Sequence, residues 1–145
     1  MVAYFHYLTP VSINTKNLDV IALAERCELL TDILIDSDSP AECAALCNYA
    51  YAHIEAIKEN LHKPLSAARI EQLSVDDPSE FPEAKWLADS DALCDYCQAV
   101  TRVLLCHSLP LKTMQQLNGL LMLLVNTLVD DLKTPRFLRT VNVAR

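Results

Sequence analysis

A chain of 145 residues that is 52% apolar is long enough to bury one core and too apolar to remain disordered over most of its length. Its single glycine, Gly119, excludes the three-glycine dinucleotide fingerprint and the two-glycine phosphate loop, and it removes the glycine-rich turns of a multi-hairpin β protein. The net charge of −7 argues against a face built to hold the phosphates of nucleic acid.

Residues 1–16 read as an aromatic N-terminal arm carrying Tyr4, Phe5, Tyr7 and Leu8. The arm has neither a basic start nor a long apolar stretch, so no targeting segment is expected. A cytoplasmic location follows, with the six cysteines as reduced thiols. A first helix is expected near 17–36, because Val20, Leu23, Cys27, Leu30 and Leu34 recur at spacings of three and four. After a polar turn, Ser39-Pro40-Ala41-Glu42 forms a helix start. Ser39 is placed to cap, Pro40 fits the first helical position, and Glu42 completes a capping box. The second helix carries Cys43, Cys47, Ala50, Ile54, Ile57 and Leu61 along one packing seam, and Pro64 ends it.

Residues 64–82 read as an acidic linker with a short helix around 66–73. Asp76, Asp77 and Glu80 are expected there as solvated loop carboxylates. A third long helix is expected near 83–107, with Leu93, Cys97, Val100 and Leu104 inward, and a fourth near 110–133, opened by Pro110. In the fourth, Leu117, Leu120, Leu121, Met122, Leu123, Leu124, Val125, Leu128 and Val129 cover nearly every face. A helix apolar all round is expected to be buried all round. Either the N-terminal arm or a second chain packed on Leu117, Leu120, Leu121, Leu124 and Leu128 would achieve this, with Gly119 allowing close approach. Asp130 and Asp131 fall at its C-terminus, against the helix dipole. Residues 134–145 form a basic tail. From Lys133 onward there are four bases and no acid, so residues 1–132 carry 8 bases against 19 acids, a net −11.

The two halves resemble each other. Ala22-Leu23 aligns with Ala92-Leu93 at an offset of 70, as do Cys27 with Cys97, Thr31 with Thr101, Leu34 with Leu104, Pro40 with Pro110 and Asn48 with Asn118. After one inserted residue, Leu61 matches Leu132 and Pro64 matches Pro135. The expected fold is therefore all-α: one domain over 1–145, a four-helix bundle of two tandem, pseudo-equivalent hairpins (17–63 and 83–133), dimeric through the fourth helix.

Chemistry-bearing groups are few. Cys94-Asp95-Tyr96-Cys97 lies inside a helix with no strand before it, unlike a redox C-x-x-C pair. As half of a zinc site it needs two more ligands, which Cys43 and Cys47 supply most readily, with Cys106 and His107 as further candidates. The seam positions of Cys27 and Cys97 favour instead small buried thiols. His53 and His62 stand nine residues apart, which makes no metal pair; His53 is expected half-buried or at a seam edge, and His6 and His107 have no evident partner. The serines cluster in turns as caps, and no catalytic cluster is visible. The expectation is a non-enzymatic helical protein-binding module with no cofactor and no membrane: a small acidic adaptor, regulator, or inhibitor of the immunity type. Its partner is expected to be a protein, with a basic one suited to the acidic body, alongside self-association as a homodimer. The alternative is a zinc-binding bundle using Cys43, Cys47, Cys94 and Cys97.

Overall fold

A computed structural model describes residues 12–83, 89–106 and 109–139. The aromatic arm up to residue 11, His6, His107 and the end of the basic tail lie outside these. Four long helices dominate: α1 (Val20–Ile35), α2 (Pro40–Asn60), α4 (Ser90–Leu104) and α5 (Leu111–Leu132), with a short α3 (Ala67–Gln72) between the pairs. α1 packs on α2, α2 on α4, α4 on α5 and α5 on α1. This ring of neighbours is unchanged when the first hairpin is exchanged for the second.

Caps explain the boundaries. α1 starts at Val20 rather than at 17, because Asn17 adopts a left-handed backbone (φ 67°) and Asp19 accepts from the Ala22 N–H at 2.8 Å. Asparagine tolerates that conformation, so Asn17 turns the chain before the helix begins. Asp89, 70 residues further on, caps α4 in the same way, accepting from the Ala92 N–H at 2.9 Å. α4 is therefore shorter than 83–107; Glu83 is not helical. Ser39 caps α2 through the Glu42 N–H at 3.3 Å with Pro40 in the first turn. The reciprocal bond of a capping box forms elsewhere, between Asp77 and Glu80. Pro110 is itself the N-cap of α5 and offers no side-chain bond.

Asp19 does more than cap, since it also pairs with Arg69 of α3 at 2.8 Å (Nε to Oδ2), which ties α3 to the start of α1. Asp19→Ala is expected to destabilise by about 2 kcal/mol, because the cap and a half-buried pair are lost together. Asp89→Ala, which loses only an exposed cap, is expected to cost about 1 kcal/mol. Urea titration of the two variants checks the difference.

The core is one cluster drawn from all four long helices. Leu23, Cys27 and Thr31 of α1 are buried, as are Leu93, Cys97 and Thr101 of α4, each pair 70 apart. Thr31 and Thr101 both turn their hydroxyls back to the carbonyl three residues earlier, at 2.8 Å, so each is satisfied without a tertiary partner. In α2 and α5 the fully buried pairs are Ala50 with Leu121, Ile54 with Val125 and Ile57 with Leu128, which are 71 apart. The offset between buried positions of α2 and α5 is thus one residue larger than that between α1 and α4. Asn48 and Asn118 consequently differ in setting, the first half-buried and the second buried.

The linker and tail come together. Ser74–Val75 (β1) pairs in parallel with Phe137–Leu138 (β2). Arg139 donates to Glu71 at 2.8 Å and to Asp76 at 3.0 Å, and both carboxylates hold its guanidinium charged. The described part of the basic tail thus lies on the acidic linker.

Candidate protein-contact surface

The helix expected to be apolar on all sides is not uniformly buried. Leu121 and Leu128 are 0% exposed. Both are committed to the chain's own core, with Val125 and Val129, and so are not free to serve the interface expected of them. Leu117 and Leu124 pack partly against that core. Of the five interface residues expected from sequence, Leu120 alone is open, at 42% exposure, and it is joined by Leu123 at 61%. The correction has a simple cause: two flanking helices, α1 and α4, cover adjoining sides of α5, so a wide apolar arc is satisfied within one chain. Gly119 meets no neighbour, since a Cβ built there would have nothing within 4 Å.

α1 contributes a second open strip that the periodicity argument passed over. Leu29 is 63% exposed and Ile33 51%, one turn apart on the side away from the Leu23–Cys27–Leu34 seam. Beside them Glu28, Asp32 and Asp36 repeat at spacings of four. None of the three enters an ion pair among the described residues; the one bridge between α1 and the end of α5 is Lys133 to Glu25 at 3.7 Å. Like charges one turn apart weaken a helix by a few tenths of a kcal/mol. Acids in the last turn also oppose the dipole, and α1 has no base there. The sequence signal was present: an apolar pair at i, i+4 lying off the main stripe.

The α2–α4 side contrasts with it. Lys58 bridges to Asp95 at 2.9 Å and donates to Gln98 at 3.3 Å. Gln98 in turn donates to Glu55 at 2.6 Å, and the Asp95 bond holds Lys58 charged. Arg102 donates to the Tyr51 hydroxyl at 2.6 Å and lies 5.2 Å from the ring centre of that tyrosine, within cation–π reach. This side is closed by its own polar groups.

The sulfur chemistry does not assemble. Among the described residues no group of three His, Cys, Asp or Glu side chains is arranged to hold a metal ion. Cys43, Cys47, Cys94 and Cys97 are therefore not brought together as the alternative reading required. They and Cys27 are buried free thiols, while Cys106 is half-buried. Burial, with Cys43 nearby, pushes the Cys47 thiol up to about 12. Burial does the same to Cys94 and, with Cys94 beside it, to Cys97, each also to about 12. Cys27 is raised by burial and by Cys97 and Cys94. Such thiols are poor nucleophiles at neutral pH.

The remaining polar candidates have structural roles. Asp77 caps a single 3₁₀ turn (Pro78–Glu80) through the Ser79 N–H, and this bond lowers its pKa. Glu80 accepts from the Asp76 and Asp77 N–H groups at 3.0 Å. These loop carboxylates are exposed but engaged. Asp131 accepts from the Ser90 hydroxyl, linking α5 to the start of α4. His62 is exposed, 3.6 Å from Asp91. His53 departs most from expectation: it is 3% exposed rather than at a seam edge. Among the described residues no helix is long and apolar enough to cross a membrane. Comparison with protein-family models, curated proteins and solved structures returns no match.

Proposed function

We propose that this chain is a non-enzymatic helical protein-binding module that acts through the outer faces of α1 and α5. The observation that carries the reading is the pairing of exposed Leu29 and Ile33 with the unpaired acidic row Glu28, Asp32 and Asp36. An apolar strip edged by one sign of charge suits a partner helix with an apolar face and a basic flank, the helix-in-groove mode of recognition. The proposed biological class is a small acidic adaptor, regulator or inhibitor acting in the cytoplasm.

The test is capture of partners with the wild-type chain and with the Leu29→Asp/Ile33→Asp double variant, using Tyr96→Ser on α4 as a surface control. Both substituted α1 positions are open, so the fold is expected to hold, with a loss of about 1 kcal/mol because two more acids join a row that already opposes the helix dipole. Binding of a basic helical partner is expected to fall at least tenfold, on the scale of losing central apolar anchors. Unchanged capture by the double variant overturns the α1 surface. A second reading, homodimerisation through α5, is favoured by one specific observation: Gly119, Leu120 and Leu123 form an open strip in which the glycine serves no packing within the chain. Sedimentation across micromolar concentrations separates the two readings, because the first requires no self-association.

A further inference from the structure

The outer face of α5 is bounded by one base and one acid. Lys112 lies in its first turn and Asp130 in its last. Both are exposed, and neither enters an ion pair among the described residues. No charged residue stands between them in the sequence. Gln116, Gly119 and Leu123 follow Lys112 at spacings of four, three and four, on the side opposite the buried Leu121, Val125 and Leu128, with Leu120 at its edge. Both charges sit at the unfavourable end of their own helix, because a base near the N-terminus and an acid near the C-terminus oppose the dipole. α5 carries no acid in its first turn and no base in its last to offset them. Gly119 is unfavourable too, since a glycine inside a helix weakens it. A Cβ built there would meet nothing within 4 Å, so no packing within the chain calls for glycine. A second copy of the helix, laid antiparallel, gives each of these features a use.

We propose that α5 docks on α5 of a second copy of this chain, antiparallel about a two-fold axis at the level of Leu121, with Gly119 of each copy receiving Leu123 of the other and Lys112 of each pairing with Asp130 of the other. Both pairings are centred on residue 121, so one register satisfies them together, and two-fold symmetry forms each of them twice. A parallel register would instead set Lys112 against Lys112 and Asp130 against Asp130. In the antiparallel one, each charge lies beside the end of the other helix whose dipole it complements. The proposal rests on the homodimer reading of α5 and adds its register; the Leu29 and Ile33 strip of α1 lies outside this seam and stays open to a different partner. The seam runs roughly 27 Å from Lys112 to Asp130 at about 1.5 Å per residue. A single helix pair of that length is at the small end of specific interfaces, so the dimer is weak and the chain is monomeric at low micromolar protein.

Sedimentation equilibrium of the full chain at low ionic strength, from low micromolar to millimolar protein, tests this by exchanging the charges. The wild type is expected to dimerise, and more weakly as salt is added. Lys112→Asp and Asp130→Lys are each expected to weaken self-association about tenfold, because both symmetric ion pairs become repulsions. Mixed in equal amounts, the two variants are expected to recover association. In the mixed dimer the two altered residues face each other with opposite charge, and the native Lys112 of one copy faces the native Asp130 of the other. Each substitution suits the dipole of its own helix, so the unfolding midpoint is expected to hold or rise, which separates lost pairing from lost folding. Gly119→Leu fills the notch at a position with open space around it and is expected to weaken pairing by roughly tenfold or more with the fold intact. A wild type that stays monomeric up to millimolar concentration overturns the homodimer reading and this proposal together. Self-association that the mixture does not restore, or that is indifferent to Gly119→Leu, keeps a homodimer and overturns this register.

Discussion

Leu121→Ala is expected to lower the unfolding free energy by about 3 kcal/mol, whereas Leu120→Ala, at the next position along the same helix, is expected to change it by less than about 0.5 kcal/mol. Leu121 is 0% exposed and belongs to the shared core, while Leu120 is among the open residues of α5. Truncating the first leaves a void inside the shared core, which a close-packed bundle refills poorly. Truncating the second removes atoms that already touch water. Chemical denaturation at two protein concentrations decides the matter. A large, concentration-dependent loss at Leu120 would show that a second chain covers α5, and it would promote the homodimer reading over the heterologous one.

Alkaline pH is expected to unfold the chain well before it would unfold a protein with solvent-exposed thiols. Cys47, Cys94 and Cys97 are held at about 12 against an ordinary value of 9.0, and Cys27 is also raised. The folded state therefore keeps protons that the unfolded chain releases above pH 9. The stability these thiols contribute is fully present below 9 and is lost as pH climbs toward 12. Each can remove up to roughly 1.4 kcal/mol per pH unit within that window, so four together are expected to remove several kcal/mol by pH 10.5, a large part of a typical domain's stability. The check is the urea midpoint at pH 8 and pH 10 under reductant. Cys47→Ala should flatten the dependence by about a quarter, even though its midpoint at pH 8 is lower. An unchanged midpoint at pH 10 would mean that the thiols ionise without opening the core.

Both expectations depend on placement, and much of that placement was readable along the chain. Of the expected stripe, Val20, Leu23, Cys27 and Leu34 are buried and Leu30 is half-buried; of the expected seam, Cys43, Cys47, Ala50, Ile54 and Ile57 are buried and Leu61 is half-buried. This follows because a helix turns 3.6 residues at a time whatever its surroundings. The Ser39 cap with Pro40 behind it was readable for the same local reason, and the missing glycines bounded the fold class. The start of α1 was less legible, because nothing near Lys16 announces that Asn17 turns left-handed.

What only the tertiary structure decided is which helix meets which. Six polar or charged side chains of α2 and α4 could each have been read as solvated; the packing of α2 on α4 makes Lys58, Asp95, Gln98, Glu55, Arg102 and Tyr51 mutual partners. The cysteines of α2 and of α4 have ligand-like spacing within each helix, yet the ring of neighbours does not gather them. The breadth of the apolar arc on α5 is a property of one helix, but whether that arc is covered depends on how many helices flank it. Here α1 and α4 suffice for Leu121, Val125 and Leu128 and leave Leu120 and Leu123 open. Periodicity is local and survives in the sequence; the pairing of faces arises from long-range contacts that a single helix does not record.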